Sequence, residues 1–246
     1  MNIHLDTEYR THPQFYPVYS PEGRLLCTEL RVNFWHPQSN VAIPQAILTP
    51  QLDISQRIFL LQSQINLIES AAHFFSKNNI KVSISVDVLL ADTLLESDFL
   101  LKKMGLIAGL QLDIAESFPG LHEGTDNPRL LALSDHFSLA LSHFGAGNLS
   151  SRAVFDSLFE RITLDRALMQ RMMKRASFSA LAGVIVEQIT PYCGLLVLAG
   201  ADDLSDLQKI RHLPLGGIES ALFPPVPAEC LDQLLTPPPW LGSLEG

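Results

Sequence analysis

The connection between the first two apolar stretches constrains the fold of this chain more than any other feature. Residues 15–19 and 25–34 both read as strands, and between them stands the turn signature Ser20-Pro21-Glu22-Gly23. A parallel return needs a crossover of a dozen or more residues, so a connection this short makes an antiparallel pair. From there on, strand patterns near Val82, Leu110, Leu139, Ile162, Leu195 and Ile218 are separated, for the most part, by helical stretches. That makes eight strands in a chain of 246 residues, and (β/α)8 barrels run to about 250. The expected fold is α/β: a TIM-like (β/α)8 barrel whose first strand is antiparallel.

Local patterns fill in the elements. Residues 53–77 read as one helix, opened by a capping box of Asp53 and Gln56. Ile58, Leu61, Ile65, Ile68, Ala72 and Phe75 form its apolar stripe, with His73 off it at the surface. Residues 80–86 alternate strictly, with Ser83 and Ser85 opposite Ile80, Val82, Ile84 and Val86. Residues 110–114 do the same, placing Gln111 and Asp113 on one face; in a barrel one face meets the helices and the other fills the lumen. Residues 118–127 form a loop, and Asn127-Pro128 starts the next helix. A strand at 139–142 runs into the turn Gly145-Ala146-Gly147, with a helix opening near Ser150. A short helix at 153–160, a strand at 161–165 and a helical region at 168–190 follow. The basic residues Arg171, Lys174 and Arg175 of that region read as a solvated helix face. Residues 1–235 are expected to form a single domain and 236–246, with Pro237-Pro238-Pro239-Trp240, a flexible tail.

Composition narrows the partners. The net charge of −9 argues against non-specific nucleic-acid binding, which rests on neutralising phosphates with Lys and Arg. Charged residues make up 17%, below the usual share of about 25%, which is compatible with a protein-binding patch. Cys27, Cys193 and Cys230 are isolated, odd in number and lack metal-ligand spacing, as in a reduced, cytoplasmic protein. No apolar run approaches the roughly 20 residues of a membrane span, and no signal-peptide core opens the chain.

Several short segments resemble, in order, the motifs of the EAL-domain family of cyclic di-GMP phosphodiesterases. Residues 139–151, LALSHFGAGNLSS, keep the frame of its DDFG(T/A)GYSS in Phe144, Gly145, Ala146, Gly147, Ser150 and Ser151. GRLLCTELR resembles GRIVGVEALLR, LQLDIAES resembles LELEITES, and RITLDRALM resembles YIKIDRSFV. LLVLAGADD and IESALFPPVPAE resemble the segments VIAEGVET and AQGYLFSKPLPAE. The resemblance implies the barrel with one reversed strand, and it also implies an emptied site. Glu29 stands at the glutamate of the name-giving motif, with Leu30 and Arg31 replacing Ala and Leu. Asp113 stands at a metal-binding glutamate and Glu116 at a second glutamate. Ser142 and His143 replace the two aspartates that hold the metals, and Ser85 replaces a metal-binding asparagine. Thr163 replaces the lysine near the attacking water and Ala199 a glutamate needed for activity, whereas Asp165, Arg166, Gly200 and Asp202 are kept. Glu219 replaces a glutamine.

A two-metal phosphodiesterase needs clustered oxygen ligands around ions about 3.5–4 Å apart, and Mg2+ demands hard oxygen coordination. A serine and a histidine in place of two aspartates do not supply it, so the expectation is no catalytic residues, no metal and no cofactor. Two non-enzymatic classes remain beside residual phosphodiesterase activity: a sensor that binds cyclic di-GMP without hydrolysing it, and a protein-binding regulator. Against the sensor, the site has lost the metals that would neutralise the ligand's two phosphates, and Glu219 puts a carboxylate in place of a neutral amide at the mouth, where it repels an anion. For the regulator, FPGLHEG, FGAGNLSSRAVFDSLFERITLD and ALFPPVPAE resemble the YdiV-type anti-flagellar branch. That branch implies binding to the FlhD subunit of the flagellar master regulator FlhDC, exclusion of FlhDC from promoter DNA and repression of motility.

Overall fold

The computed structural model describes residues 2–4, 8–36, 41–147 and 152–242. Its strands are β1 (Asn2–His4), β2 (Glu8–Tyr19), β3 (Leu25–Trp35), β4 (Ala42–Pro44), β5 (Lys81–Ser85), β6 (Leu110–Ala115), β7 (Ser138–Phe144), β8 (Arg161–Leu164), β9 (Leu195–Ala199) and β10 (Gly217–Glu219). They lie in the order β1-β2-β10-β9-β8-β7-β6-β5-β3-β4, and pairing of β2 with β3 closes β2, β3 and β5 to β10 into an eight-stranded barrel. β2 is antiparallel to β3, from Arg10 opposite Trp35 to Tyr19 opposite Leu25, and antiparallel to β10 through Tyr19 and Ile218. The remaining barrel pairs are parallel. The reversed first strand thus follows from the tight turn at 20–23, which Gly23 permits by taking φ +87°. β1 and β4, which the sequence did not reveal, are three-residue additions at the outer edges of β2 and β3.

Helices cover the outside of the barrel. The expected helix over 53–77 is in fact two, Ile54–Ser70 and Ala72–Asn78. Asp53 caps the first through the anticipated box: its carboxylate accepts from the Gln56 amide and its own amide donates to the Gln56 side chain. Leu60, Leu61, Ile65 and Ile68 are buried, each contributing about 1.5–3 kcal/mol by leaving water. The break falls at Ala71, whose backbone leaves the helical region (φ −100°, ψ 8°); beyond it Ala72 is exposed while Phe74 and Phe75 are buried. Asn127 caps Pro128–His136 as expected, its side chain accepting from the amides of Arg129 and Leu130.

Other boundaries differ from the sequence reading. The helix expected at 153–160 ends at Phe155, and Ser157 then adopts φ +57°. The helical region 168–190 divides into Arg166–Met173 and Phe178–Ile189. The helix anticipated near Ser150, with the Ser150–Ser151 pair, lies outside the described residues. The tail expected to be free from Thr236 is held over its first part: Pro239–Gly242 forms a helical turn and Leu241 is buried in the main core.

The main core lies between strands and helices, from Phe15 through Leu112, Leu141 and Leu198 to Leu241. A small separate cluster of Val18, Cys27 and Val197 fills part of the lumen. Above it the inward-facing residues are polar, and that layer carries the site.

Candidate functional site

Alternation along the strands decides what enters the lumen. Glu29 and Arg31 share a face of β3, as do Ser83 and Ser85 on β5. Asp113 comes from β6, Ser142 from β7, Arg161 and Thr163 from β8, and Ala199 and Glu219 from the ends of β9 and β10. The parallel register levels them: Ser83 lies beside Glu29, Asp113 beside Ser85, and Glu219 beside Ala199.

Two arginines organise this layer. Arg161 is 1% exposed. Its Nη1 donates to Cys27 Sγ at 3.3 Å and its Nη2 to Ser83 Oγ at 2.9 Å. The same Nη2 stands 3.0 Å from Glu29 Oε1 and 3.6 Å from Asp113 Oδ1. Arg31, half-buried, works from the mouth. Its Nε donates to Glu29 Oε2 at 3.0 Å, its Nη2 bonds the same oxygen, and Nη2 also donates to Glu219 Oε1 at 2.7 Å. The Arg31 guanidinium lies over the Tyr16 ring, 4.7 Å from its centre, a cation–π arrangement.

The electrostatics follow from this count of charges. Two guanidiniums balance two of the three buried carboxylates. Burial works against ionised Glu29, but the charges of Arg31 and Arg161 outweigh it and hold its carboxyl well below the usual range. Asp113 is the surplus acid: burial first, and then the charge of Glu29, raise it to about 7. Burial opposes the charge of both arginines, and the acids around them keep them protonated.

The other expected positions serve the scaffold. Glu116 accepts from the Gly145 amide at 3.2 Å and the Gly147 amide at 2.6 Å, clamping the glycine turn. His143 sits in that turn with φ +57° and a side chain 65% exposed, its Nδ1 3.6 Å from Asp165 Oδ2. Asp165 caps Arg166–Met173 by accepting from the Leu168 amide. Asp202 ties Arg166, Gln170 and the Ala221 amide together. Ser85 is exposed at the end of β5, whereas Ser142, Thr163 and Ala199 are buried. Arg171, Lys174 and Arg175 are exposed, away from the lumen.

No family model matches the chain. An anti-FlhC(2)FlhD(4) factor YdiV of Salmonella typhimurium (strain LT2) is 31% identical over 231 residues, 94% of this chain and 98% of the relative. A putative anti-FlhC(2)FlhD(4) factor YdiV of Escherichia coli (strain K12) is 31% identical over 235 residues, 96% of this chain and 99% of the relative. The crystal structure of an EAL-like domain protein YdiV superposes with a TM-score of 0.84 at 31% identity, covering 92% of this chain and 96% of that one. The chain belongs to the YdiV family of EAL-like proteins.

For a YdiV-family barrel, the question at this site is whether the ion pair implied by EAL enzymes fits the residues present. It does not. Glu29 Oε1 and Asp113 Oδ1, the oxygens nearest Arg161 Nη2, are buried and accept no hydrogen bond. What lies against both of them is Arg161 Nη2, a cation in the space a metal would need. Among the described residues no group of three or more His, Cys, Asp or Glu side chains is arranged to hold a metal ion. His143 faces solvent, and the Ser142 hydroxyl is neutral. A cavity of about 580 Å3 lies away from this layer, where β7 and β8 begin, among Ser138, Glu160, Tyr192 and Cys193.

Sequence reasoning found the acids and missed the cations. Arg31 was visible only as a departure from a motif, and Arg161 only as the start of a strand. The signal was there in parity: Arg31 is two residues from Glu29, and Arg161 is two from Thr163, so each shares a lumen-facing row with a residue already singled out.

Proposed function

We propose that this protein is a non-enzymatic regulator that acts in the cytoplasm: it binds the FlhD subunit of the FlhC2FlhD4 flagellar regulator, keeps it from promoter DNA and represses flagellar genes and motility. The observation that carries this reading is kinship over nearly the full length of relatives named anti-FlhC(2)FlhD(4) factors. The net charge of −9 supports it. A chain this acidic has no electrostatic reason to occupy the promoter itself, since the duplex repels it. It acts instead on the regulator, where acidic groups speed encounter with a basic DNA-binding face and apolar contacts hold the complex. Thiol chemistry agrees with a reducing compartment, the three cysteines being free, and no described helix is long and apolar enough to cross a membrane.

The same reading has the protein neither hydrolyse nor bind cyclic di-GMP. Thr163 and Ala199 provide no base and no acid for water activation. Arg161 and Arg31 are already paired with Glu29, Asp113 and Glu219, so neither guanidinium is available to a phosphate. The test is capture of FlhD and of FlhDC on the immobilised protein, paired with promoter-DNA retention as the protein is titrated in. FlhD is retained, the FlhDC–DNA complex disappears, and the protein alone shifts no DNA. Failure to retain FlhD with DNA occupancy unchanged refutes the proposal. Calorimetry with cyclic di-GMP addresses the ligand separately: a dissociation constant below 1 μM, about −8 kcal/mol, makes the protein a sensor.

A further inference from the structure

We propose that the Arg161 guanidinium is a built-in cation that closes the acidic layer of the barrel to divalent metal, with Glu29 as its counter-ion and the Asp113 carboxyl against the same nitrogen. The inference concerns the lumen and holds whatever partner the outer surface binds.

Three observations carry it. The first is position. Arg161 enters from the start of β8, level with Ala140 and Leu195, and its side chain reaches the acids on β3 and β6. A single nitrogen, Nη2, faces both Glu29 Oε1 at 3.0 Å and Asp113 Oδ1 at 3.6 Å. A Mg2+-type ion draws such oxygens to about 2.0–2.1 Å, so ion and guanidinium exclude each other.

The second is that Arg161 has nowhere to retreat. Cys27 and Ser83 hold its two terminal nitrogens, and the lumen beneath is filled by Val18, Cys27 and Val197. A buried guanidinium without its acids would be an unpaired charge, which proteins rarely tolerate. The third is that the second oxygen of Glu29 is occupied too, by Arg31, which also ties up Glu219. The two acids that line up with EAL metal ligands are therefore internal partners of arginines. Their presence is explained without any metal, although the ligand chemistry at Ser142 and His143 is gone.

The experiment is Mn2+ binding by electron paramagnetic resonance and equilibrium dialysis at pH 8, on the wild-type protein, Arg161→Lys and Arg161→Met. The wild type and Arg161→Lys, which keeps a cation in place, show no saturable site up to about 1 mM, the weak end of oxygen-ligand sites. Arg161→Met frees Glu29 Oε1 and Asp113 Oδ1 and gains Mn2+ binding. At tenfold excess over its dissociation constant, Mn2+ raises the melting temperature of this variant by about 3–6 °C. Adding Glu29→Gln abolishes the gain. A saturable Mn2+ site on the wild type that is lost in Glu29→Gln overturns the proposal, and so does a folded Arg161→Met that takes up no Mn2+. If Arg161→Met does not fold, the first two proteins decide: a Glu29-dependent site in either refutes it, and its absence from both supports it.

Discussion

Removing the Arg161 charge is the most discriminating perturbation of this barrel. In Arg161→Met an unbranched apolar chain replaces the stem and the charge is lost, so the electrostatic loss dominates. Breaking a buried ion pair from one side costs about 3–5 kcal/mol, because the remaining charge is left without a partner. Glu29 keeps Arg31 on its other oxygen, which argues for the lower half of that range. Asp113 loses its ion-pair partner, keeps only the more distant charge of Arg31, and sets the pH dependence. Its folded pKa is about 7 against an ordinary 3.8, so at pH 5.5 it is already protonated and loses little with Arg161. At pH 8 it is ionised in the wild type, and the variant must bury that charge unpaired or hold a proton above its ordinary range. The loss is therefore largest at pH 8. For a chain of this length, a loss of about 3–4 kcal/mol lowers the melting temperature by about 6–16 °C, at about 2–4 °C per kcal/mol. Adding Asp113→Asn recovers part of it, a coupling that a double-mutant cycle measures directly. Thermal and urea unfolding followed by circular dichroism at the two pH values provides the test. An Arg161→Met protein within about 1 kcal/mol of wild type at pH 8, the scale of an exposed pair, refutes the reasoning.

Asp113→Asn alone flattens the stability profile above pH 4. A folded pKa raised to about 7 gives a contribution fully present below 3.8 and lost as pH rises through 7, and urea midpoints from pH 4 to 8 record it. Glu29→Gln acts on the acid side: a carboxyl held below its ordinary 4.5 stabilises above that pH and loses the effect as pH falls, so the variant's midpoint changes less than the wild type's below pH 4.5. Ile68→Ala, at a fully buried position, costs about 2–5 kcal/mol in the same assay. Ser142→Asp with His143→Asp yields no cyclic di-GMP hydrolysis with Mg2+ or Mn2+, because Arg161 still occupies the lumen; turnover at a normal rate contradicts that.

Legibility tracked the range of the interaction. The reversed first pair, the barrel strands, the Asp53 box and the Asn127 cap were readable because each depends on a turn, a period or a cap within a few residues. The helix break at Ala71 was not, because Ala72 and His73 continue a helical pattern and only packing against the barrel turns Ala72 outward. Packing of the first part of the expected tail was hidden for a related reason: a Pro-rich segment has no periodicity, yet Leu241 is buried and Pro237 lies against Gly23. In the site, the acids Glu29 and Asp113 were found and the arginines were not. Arg31 meets Glu219 across 188 positions of sequence and Arg161 meets Cys27 across 134, distances at which no local pattern operates.

The missed arginines change how the expected losses combine. Read by position, Ser142 and His143 leave a weakened metal site in which Glu29 and Asp113 are remnants awaiting an ion. The lumen holds a different balance. Glu29 and Glu219 are matched by Arg31 and Arg161, and the surplus acid, Asp113, is kept protonated into the neutral range by burial. Restoring ligands one at a time therefore adds negative charge to a layer that is already neutral, and each added aspartate must be protonated or must compete for Arg161. Substituting the serine and histidine without removing the arginine works against the electrostatics of the barrel. Removing the arginine first leaves Glu29 Oε1 and Asp113 Oδ1 as a free anionic pair, the arrangement that Mn2+ binding to Arg161→Met probes.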